Sequence, residues 1–281
     1  MDGVNVGGSG GDGADGGAVT VDHAGTIQVF DEQSNALVAQ SIGGGGGNAG
    51  TTYNVSVFGG QERGPGDDGT IAFDLTVGGG TGEGSDGGAV NVTHDGSLHT
   101  QGGESTALLA QSNGGGGGNA ASAFSTNFQD DMAFSLAIGR VGGTGGLGGT
   151  VDVATAGSIT TLGDRSYGIH AQSIGGGGGN SSTTAFNAGG AVEGEERNTN
   201  FSLELSLGLE GGAGSRADEV SVTNAGTITT AGETAHGLFA QSIGGGGGAG
   251  GAAVIDLRQE VLDLLEPGSD EDAVSVSLAI Q

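Results

Sequence analysis

The sequence feature that most constrains the fold is a motif that occurs four times: Ala-Gln-Ser, one further residue, and five consecutive glycines. Its glutamines are Gln40, Gln111, Gln172 and Gln241, so the copies are offset by 71, 61 and 69 residues. Self-similarity on this scale is the signature of a repeat architecture. We therefore expect one continuous array of four units, at approximately residues 7–78, 79–141, 142–210 and 211–281.

Each unit also carries a Val-x-Val pattern that lies at one constant distance before the glutamine. A Gly-Gly-x-Gly cluster precedes this pattern, and an Ala-Gly-Thr-Ile turn or a close variant separates it from a second short strand. Because the spacing is the same in every unit, this block is the predicted structural frame. The valine pairs are Val19 and Val21, Val90 and Val92, Val151 and Val153, and Val220 and Val222.

The remainder of each unit varies in length and ends in a segment with alternating apolar residues, first seen between Ile71 and Val77. A period of two predicts a half-buried strand. Charged, turn-rich inserts precede these strands and are predicted to be surface loops. Within the last insert, helical spacing of apolar residues predicts a short amphipathic helix over residues 255–265. The inserts are residues 61–68, 129–131, 193–197 and 258–272.

Short strands separated by glycine-rich turns favour an all-β fold, a right-handed parallel β-solenoid (β-helix), over a propeller or a sandwich. With coils of ~20 to 25 residues, each unit would make about three coils, and the chain a rod ~60 Å long. Glycines are expected at the corners, where the backbone adopts a φ that a Cβ forbids or passes close to a neighbouring coil.

The charge balance excludes several classes of partner. Six basic residues, all arginine, face 33 acidic ones, and the formal net charge is −27. Such a surface repels nucleic acid and anionic lipid, and the glycine runs lack the lysine of a phosphate-binding loop. The chain has no cysteine, so disulfides and thiolate metal sites are excluded. We find neither a signal peptide nor an apolar run near the ~20 residues of a spanning helix, and expect no direct membrane insertion of this segment.

The Ala-Gln-Ser-Ile-pentaglycine motif, the Val-x-Asn-Ala-Gly-Thr-Ile turn of residues 222–228, and the acidic, cysteine-free composition resemble passenger regions of large bacterial autotransporters. The resemblance covers essentially the whole chain. It implies a β-helical passenger displayed on the cell surface and tethered to the outer membrane by a C-terminal β-barrel. This sequence departs from the family plan in lacking both the signal peptide and the barrel. Adhesion, autoaggregation and biofilm growth are the roles that the resemblance implies.

The pattern Gly7-Gly-Ser-Gly-Gly-Asp12 resembles a calcium-binding nonapeptide, in which the aspartate ligates Ca²⁺ between successive turns. It is isolated here, because the clusters at Gly79 and Gly142 lack the aspartate. His94 and His99 form a close pair without a further ligand that would complete a zinc site. We therefore expect no dedicated metal site and no cofactor. Weak calcium binding is assigned instead to Asp67 and Asp68, Asp130 and Asp131, or residues 269–272.

The four glutamines also invite the hypothesis of a binding row. With three coils per unit they would stand ~14 Å apart, so each is expected to bond the backbone near its own turn.

An enzyme remains the alternative, because β-solenoids with clustered carboxylates can cleave polysaccharides. Arg140, Arg165 and Arg216 lie in different parts of the unit and mark no shared groove, and residues 7–11 fit a nucleophile-elbow pattern in letters only. We expect no catalytic residues. A groove lined by three or more carboxylates and an arginine would favour the enzyme.

The sequence therefore favours a non-enzymatic, surface-displayed stalk of an adhesin that contacts host, matrix or sister-cell ligands by repeated weak interactions. Two alternatives stay open: a polysaccharide-degrading hydrolase or lyase on the same fold, and a self-associating biofilm matrix protein.

Overall fold

The regular elements are β-strands throughout the part of the chain that the computed structural model describes, residues 3–57, 71–128, 132–188, 201–256 and 274–280. The strands recur in the same order in each repeat, so the expectation of an all-β fold is confirmed. In chain order they are β1 (Gly3–Val6), β2 (Val19–Val29), β3 (Leu37–Ile42) and β4 (Thr52–Val57); β5 (Ile71–Val77), β6 (Val90–Thr100), β7 (Leu108–Asn113) and β8 (Ala123–Phe128); β9 (Met132–Ile138), β10 (Val151–Thr161), β11 (Ile169–Ile174) and β12 (Thr184–Ala188); β13 (Phe201–Leu207), β14 (Val220–Asn224), β15 (Thr227–Thr230), β16 (Leu238–Ile243) and β17 (Ala253–Asp256); and β18 (Val274–Ile280).

Each of four parallel sheets collects the equivalent strand from successive repeats. Sheet A has the order β1-β5-β9-β13-β18, and sheet B has the order β2-β6-β10-β14 with β15 also paired to β10. Sheet C has the order β3-β7-β11-β16, and sheet D the order β4-β8-β12-β17. Parallel pairing between repeats is compatible with a β-solenoid. It does not fit a propeller blade, whose neighbouring strands are antiparallel.

The strand register contradicts the predicted three coils per unit. Val19 pairs with Val90, Val90 with Val151, and Val151 with Val220. These offsets equal the repeat lengths, so each repeat forms one layer. At ~4.8 Å per layer the stack is about 20 Å high, and not ~60 Å. The prediction failed because it counted each glycine cluster as a corner, whereas each glycine cluster lies within a single connection between two sheets.

Two glycine-rich segments per repeat join the sheets across the middle of each layer. The A–B segments, residues 7–18, 78–89, 139–150 and 208–219, run from sheet A to sheet B. The C–D segments, residues 43–51, 114–122, 175–183 and 244–252, return from sheet C to sheet D. In the first A–B segment the N–H groups of Gly10, Gly13 and Gly16 each donate to the next layer, at 2.8–2.9 Å. Bonding at every third residue is the period of a polyproline II helix, which makes no internal hydrogen bonds.

The glycine segments are bonded in three directions. The Gly47 N–H donates to Gly11 O of the same layer at 2.8 Å. The Gly82 N–H donates to Gly47 O of the adjacent layer at 3.0 Å. A Cβ added at Gly115 would stand 1.9 Å from the carbonyl oxygen of Gly44. Close approach of backbones therefore explains these glycines, as predicted. A positive φ is found instead at Gly25, Gly96 and Gly157. These glycines lie within the continuous strands β2, β6 and β10, where the sequence predicted a turn between two strands.

The hydrophobic core lies between sheets B and C. Inward valines and isoleucines of sheet B meet inward leucines, isoleucines and alanines of sheet C. The Val-x-Val pattern thus supplies one wall of the core. The apolar residue two places before the motif alanine supplies the other, as Leu108 does before Ala110. The fully buried members include Val90, Leu98, Leu108, Val151 and Ile169.

Sheets A and D are arranged in the opposite sense. In β5 the small polar side chains of Asp74 and Thr76 are 4% and 0% exposed, whereas Phe73 is 38% exposed. Ser135 and Ser206 repeat the pattern on β9 and β13, and both are buried. The alternation predicted in the strands of sheet A is confirmed where their side chains are described, but the polar face is the one turned inward.

The predicted inserts at residues 61–68, 129–131, 193–197 and 258–272 lie outside the described residues. Of the helix predicted over residues 255–265, Ile255 and Asp256 belong to β17, and residues 257–265 lie outside the described residues. Within the described ranges, no helix has the length and apolar character needed to cross a bilayer.

Candidate functional site

The four motif glutamines form a continuous ladder along sheet C. Their side chains are linked Nε2 to Oε1, from Gln40 to Gln111 at 2.6 Å, from Gln111 to Gln172 at 2.8 Å, and from Gln172 to Gln241 at 2.9 Å. The wide separation predicted between them is therefore wrong, because it followed from three coils per repeat. Each of these hydrogen bonds joins two adjacent layers, so the ladder stabilises the contact between them.

The motif serine connects three segments. Ser112 is fully buried; its Oγ donates to Gly88 O and accepts from the Gly149 N–H, both at 2.8 Å. Ser41 makes the same pair of bonds to Gly17 and Gly88. Each serine thereby ties a strand of sheet C to the A–B segments of its own layer and the next. Sequence patterns did not predict this role, although the serine stands at a fixed position before the glycines in every repeat.

Aspartate and asparagine side chains form similar columns on the glycine segments. Asp12 Oδ1 accepts the Glu83 N–H at 2.9 Å, and Asp86 Oδ1 accepts the Leu147 N–H at 2.7 Å. One oxygen of the carboxylate in the calcium-like pattern thus accepts a backbone hydrogen bond from the next layer. In the described part of the chain, no three histidine, aspartate or glutamate side chains converge to hold a metal ion. The other proposed weak cation sites, at Asp67, Asp68, Asp130, Asp131 and residues 269–272, lie outside it.

The turns between sheets B and C stack a column of residues with positive φ: Gln33, Glu104, Arg165 and Thr234. Arg165 binds Glu104 through Nε at 3.1 Å and Nη2 at 2.5 Å, and Gln33 Nε2 donates to the same carboxylate at 3.1 Å. These hydrogen bonds lower the pKa of Glu104, and those from Arg165 have the largest effect. Asp164 Oδ1 accepts the Glu233 N–H at 2.8 Å.

An open groove of about 410 Å³ lies beside this column. Its lining includes Glu32, Glu104, Asp164 and Arg165. This is the combination of three carboxylates and one arginine that would favour an enzyme. Arg140 and Arg216 do not join it, since both belong to A–B segments.

Two histidines stack inside sheet B. The rings of His23 and His94 lie 5.1 Å apart at an interplanar angle of 10°, and His94 is 1% exposed. His94 Nδ1 lies 3.1 Å from both the Nδ1 and the carbonyl oxygen of His23, and its buried Nε2 has no hydrogen-bond partner within the described ranges. Burial, and secondarily the charge of His23, lowers the pKa of His94. The same positions hold Thr155 and Asn224 in later layers, joined at 2.8 Å.

A cluster of aromatic side chains covers the outside of sheet C in the third and fourth layers. Tyr167 stacks on His236 at 5.3 Å and on Phe239 at 5.5 Å, and meets the edge of His170 at 5.1 Å. Burial in this cluster lowers the pKa of His170. The register of sheet C places His170 beside Phe239 of the next layer, and Phe239 also stacks on His236 at 5.7 Å.

Among the side chains of sheet A that the structure describes, the outward-facing ones are all apolar, and they are here called the apolar face of sheet A. Phe73 and Phe134 stack at 5.1 Å with an interplanar angle of 10°. At the N-terminal edge, Val4 and Val6 are 65% and 63% exposed. Its members with described side chains are Val4, Val6, Phe73, Leu75, Val77, Phe134, Leu136, Ile138, Leu205 and Leu207.

Comparisons of this chain with protein-family models, with curated proteins and with solved structures found no match.

Proposed function

We propose that the chain is a rigid, right-handed parallel β-solenoid with one coil per repeat, acting as a stalk of a surface-displayed autotransporter passenger. In this role it holds binding surfaces away from the bacterium and contacts host, matrix or sister-cell ligands. The resemblance to autotransporter passengers also implies that the stalk is tethered to the outer membrane. Repetition raises avidity without a strong individual site.

One observation carries the proposal: polar side chains at equivalent positions of the repeats form hydrogen bonds between layers. The glutamines bond to one another, the serines bridge glycine segments, and Asp12 and Asp86 accept backbone N–H groups of the next layer. A chain built this way resists bending and separation of its layers, which is the mechanical requirement of a stalk.

The proposal is tested on intact cells of the source organism. Antibodies against the folded chain should stain unpermeabilised cells, and externally added protease should remove the signal. Beads coated with the chain should also adhere to matrix-coated surfaces more than beads coated with the unfolded chain. Staining that requires permeabilisation would contradict surface display, and equal adhesion of the two bead preparations would contradict the adhesive role.

The groove at the B–C turns supports a second candidate, a polysaccharide-acting hydrolase or lyase. A glycosidase needs a carboxylic acid with a raised pKa beside a second carboxylate. Glu104 has the opposite shift, because it is bonded to Arg165 and Gln33. Release of reducing ends or unsaturated products from acidic polysaccharides, lost in Glu104→Gln and retained in Glu83→Gln, would establish the enzyme and displace the stalk.

A further inference from the structure

We propose that the apolar face of sheet A is a homotypic docking surface, and that its occupant is the same face of a second copy of this chain. The inference is independent of surface display, since it concerns the folded chain in solution.

The first argument is the inverted alternation of sheets A and D. Turning small polar side chains inward gives up the apolar burial that stabilises an ordinary sheet, worth about 25 cal/mol per Å². Thr76 Oγ1, Ser125 Oγ and Ser206 Oγ are buried and have no hydrogen-bond partner among the described residues, so hydrogen bonds there do not compensate for the lost apolar burial. Covering the outward apolar side chains would restore the missing hydrophobic stabilisation at this end of the molecule.

The apolar face of sheet A is also uncharged. None of the ten residues of the face is ionisable, in a chain whose formal net charge is −27. Two copies that meet through this face bring no like charges of its members together, although the chain as a whole is strongly acidic. A neutral patch on a strongly charged monomer is typical of an interaction site.

The third argument is the match of spacings. The aromatic and aliphatic rows of the face repeat at the separation of adjacent parallel strands, ~4.8 Å. A second copy presents rows of the same pitch, and two sheets pack face to face at ~10 Å. The two copies would be related by a two-fold axis near the middle strand, β9, so the contact closes at two copies.

The area predicts a weak dimer. Five strands ~4.8 Å apart and about five residues long give a footprint of roughly 400 Å² per copy, about half of a standard interface. We therefore expect a dissociation constant in the micromolar range. Added salt should strengthen association, because it screens repulsion between the acidic surfaces.

Sedimentation velocity of the whole chain over increasing concentration tests the proposal. The wild-type chain should show a reversible dimer whose fraction rises with concentration and with salt. Leu136→Glu, at the centre of the face, should lower the dimer fraction at least tenfold. Thr93→Glu adds the same charge at an exposed position of sheet B and should leave the dimer intact. Far-UV circular dichroism checks that each variant is folded.

Cysteine cross-linking gives a readout that does not require a buried charge, since the chain has no cysteine of its own. Leu136→Cys should form a disulfide-linked dimer at least tenfold faster than Thr93→Cys. A wild-type chain that stays monomeric at the highest concentration, a dimer unaffected by Leu136→Glu, or equal cross-linking of both cysteines would overturn the proposal. A monomer that instead floats with phosphatidylcholine vesicles would assign the face to lipid and overturn it as well.

Discussion

Gln40 and Gln111 lie in successive repeats and share a hydrogen bond of 2.6 Å between their side-chain amides. The bond exists because both occupy the same register position of sheet C in adjacent layers. Each inner rung of this ladder donates once and accepts once, so the amides hold the layers in register.

Removing an inner rung should cost more than removing an end rung. Gln111→Leu loses two side-chain bonds and should lower the free energy of unfolding by about 1–2 kcal/mol, at roughly 1 kcal/mol per bond. Gln40→Leu loses one bond and should cost about half as much. Urea unfolding monitored by circular dichroism measures both, and equal losses would show that the ladder does not act rung by rung.

Two neighbouring glycines of one pentaglycine should differ sharply in their tolerance of alanine. At Gly115 a Cβ would meet Gly44 O at 1.9 Å, whereas at Gly116 its nearest neighbour, Gly177 O, is 3.6 Å away. Gly115→Ala should therefore cost about 3 kcal/mol or more, from forced separation of backbones. Gly116→Ala should be neutral or stabilising by up to about 1 kcal/mol, because it restricts the unfolded chain. Thermal melts of the two variants test this prediction. Similar melting temperatures would contradict close backbone packing at Gly115.

The buried serine bridge makes a third prediction. Ser112→Ala leaves the Gly149 N–H and the Gly88 carbonyl without this partner inside the molecule. An unsatisfied buried polar group costs about 1–3 kcal/mol, and a loss of that size is expected in chemical unfolding. Ser97→Ala, which removes a bond of 3.2 Å between exposed hydroxyls, is the matched control and should change stability by less than about 0.5 kcal/mol.

Acidification should destabilise the fold through His94. Its pKa is lowered in the folded chain by burial and by His23, so the unfolded chain takes up the proton first. The stabilising contribution is present above the unfolded pKa of about 6.5. It is lost as the pH falls from there through the folded pKa, because the unfolded state binds more protons over that range.

The His94→Thr variant isolates this effect, because threonine already occupies the equivalent position 155. Its stability should fall less than that of the wild-type chain between pH 7 and pH 5. The comparison cancels the titration of the carboxylates, which both chains share. Parallel pH profiles of the two chains would count against a role for His94.

Chelation of calcium should leave the fold intact. Asp86 Oδ1 accepts a hydrogen bond from the Leu147 N–H. Its contribution to stability therefore requires an acceptor oxygen and not a metal ion. Asp86→Asn retains an acceptor oxygen and should melt near the wild-type temperature, while Asp86→Ala should melt lower. Circular dichroism melting curves in EDTA and in millimolar calcium test this. A chain that shows a β-sheet spectrum only in calcium would contradict the prediction.

The sequence predicted the parts of the fold that depend on local pattern. The Val-x-Val pairs and the alternation around Leu75 identify strands, because side chains alternate across a strand. Two features could not be predicted in this way. The number of coils depends on whether glycines bend or extend, and five glycines in a row permit either. The sense of the Phe73 and Asp74 faces depends on what each sheet packs against, which alternation alone does not specify.

The side-chain contacts between layers were missed for a related reason. Pairing at a distance of one whole repeat places Gln111 beside Gln40 and Gln172, and His170 beside Phe239 in the next layer. An error in the coil count removes every such contact from consideration. The variable segments 58–70, 129–131 and 189–200 join sheet D to sheet A, so differences in repeat length leave the register unchanged.

The glycine segments also affect how stability depends on temperature. The heat-capacity change on unfolding comes mainly from the exposure of apolar surface, while newly exposed polar backbone lowers it. The A–B and C–D segments are held by backbone hydrogen bonds and bury few apolar side chains. The heat-capacity increment per residue should therefore fall below the usual value of about 12–15 cal/mol/K. A smaller increment flattens the curve of free energy against temperature, so the layers should stay together over a wide range, including in the cold.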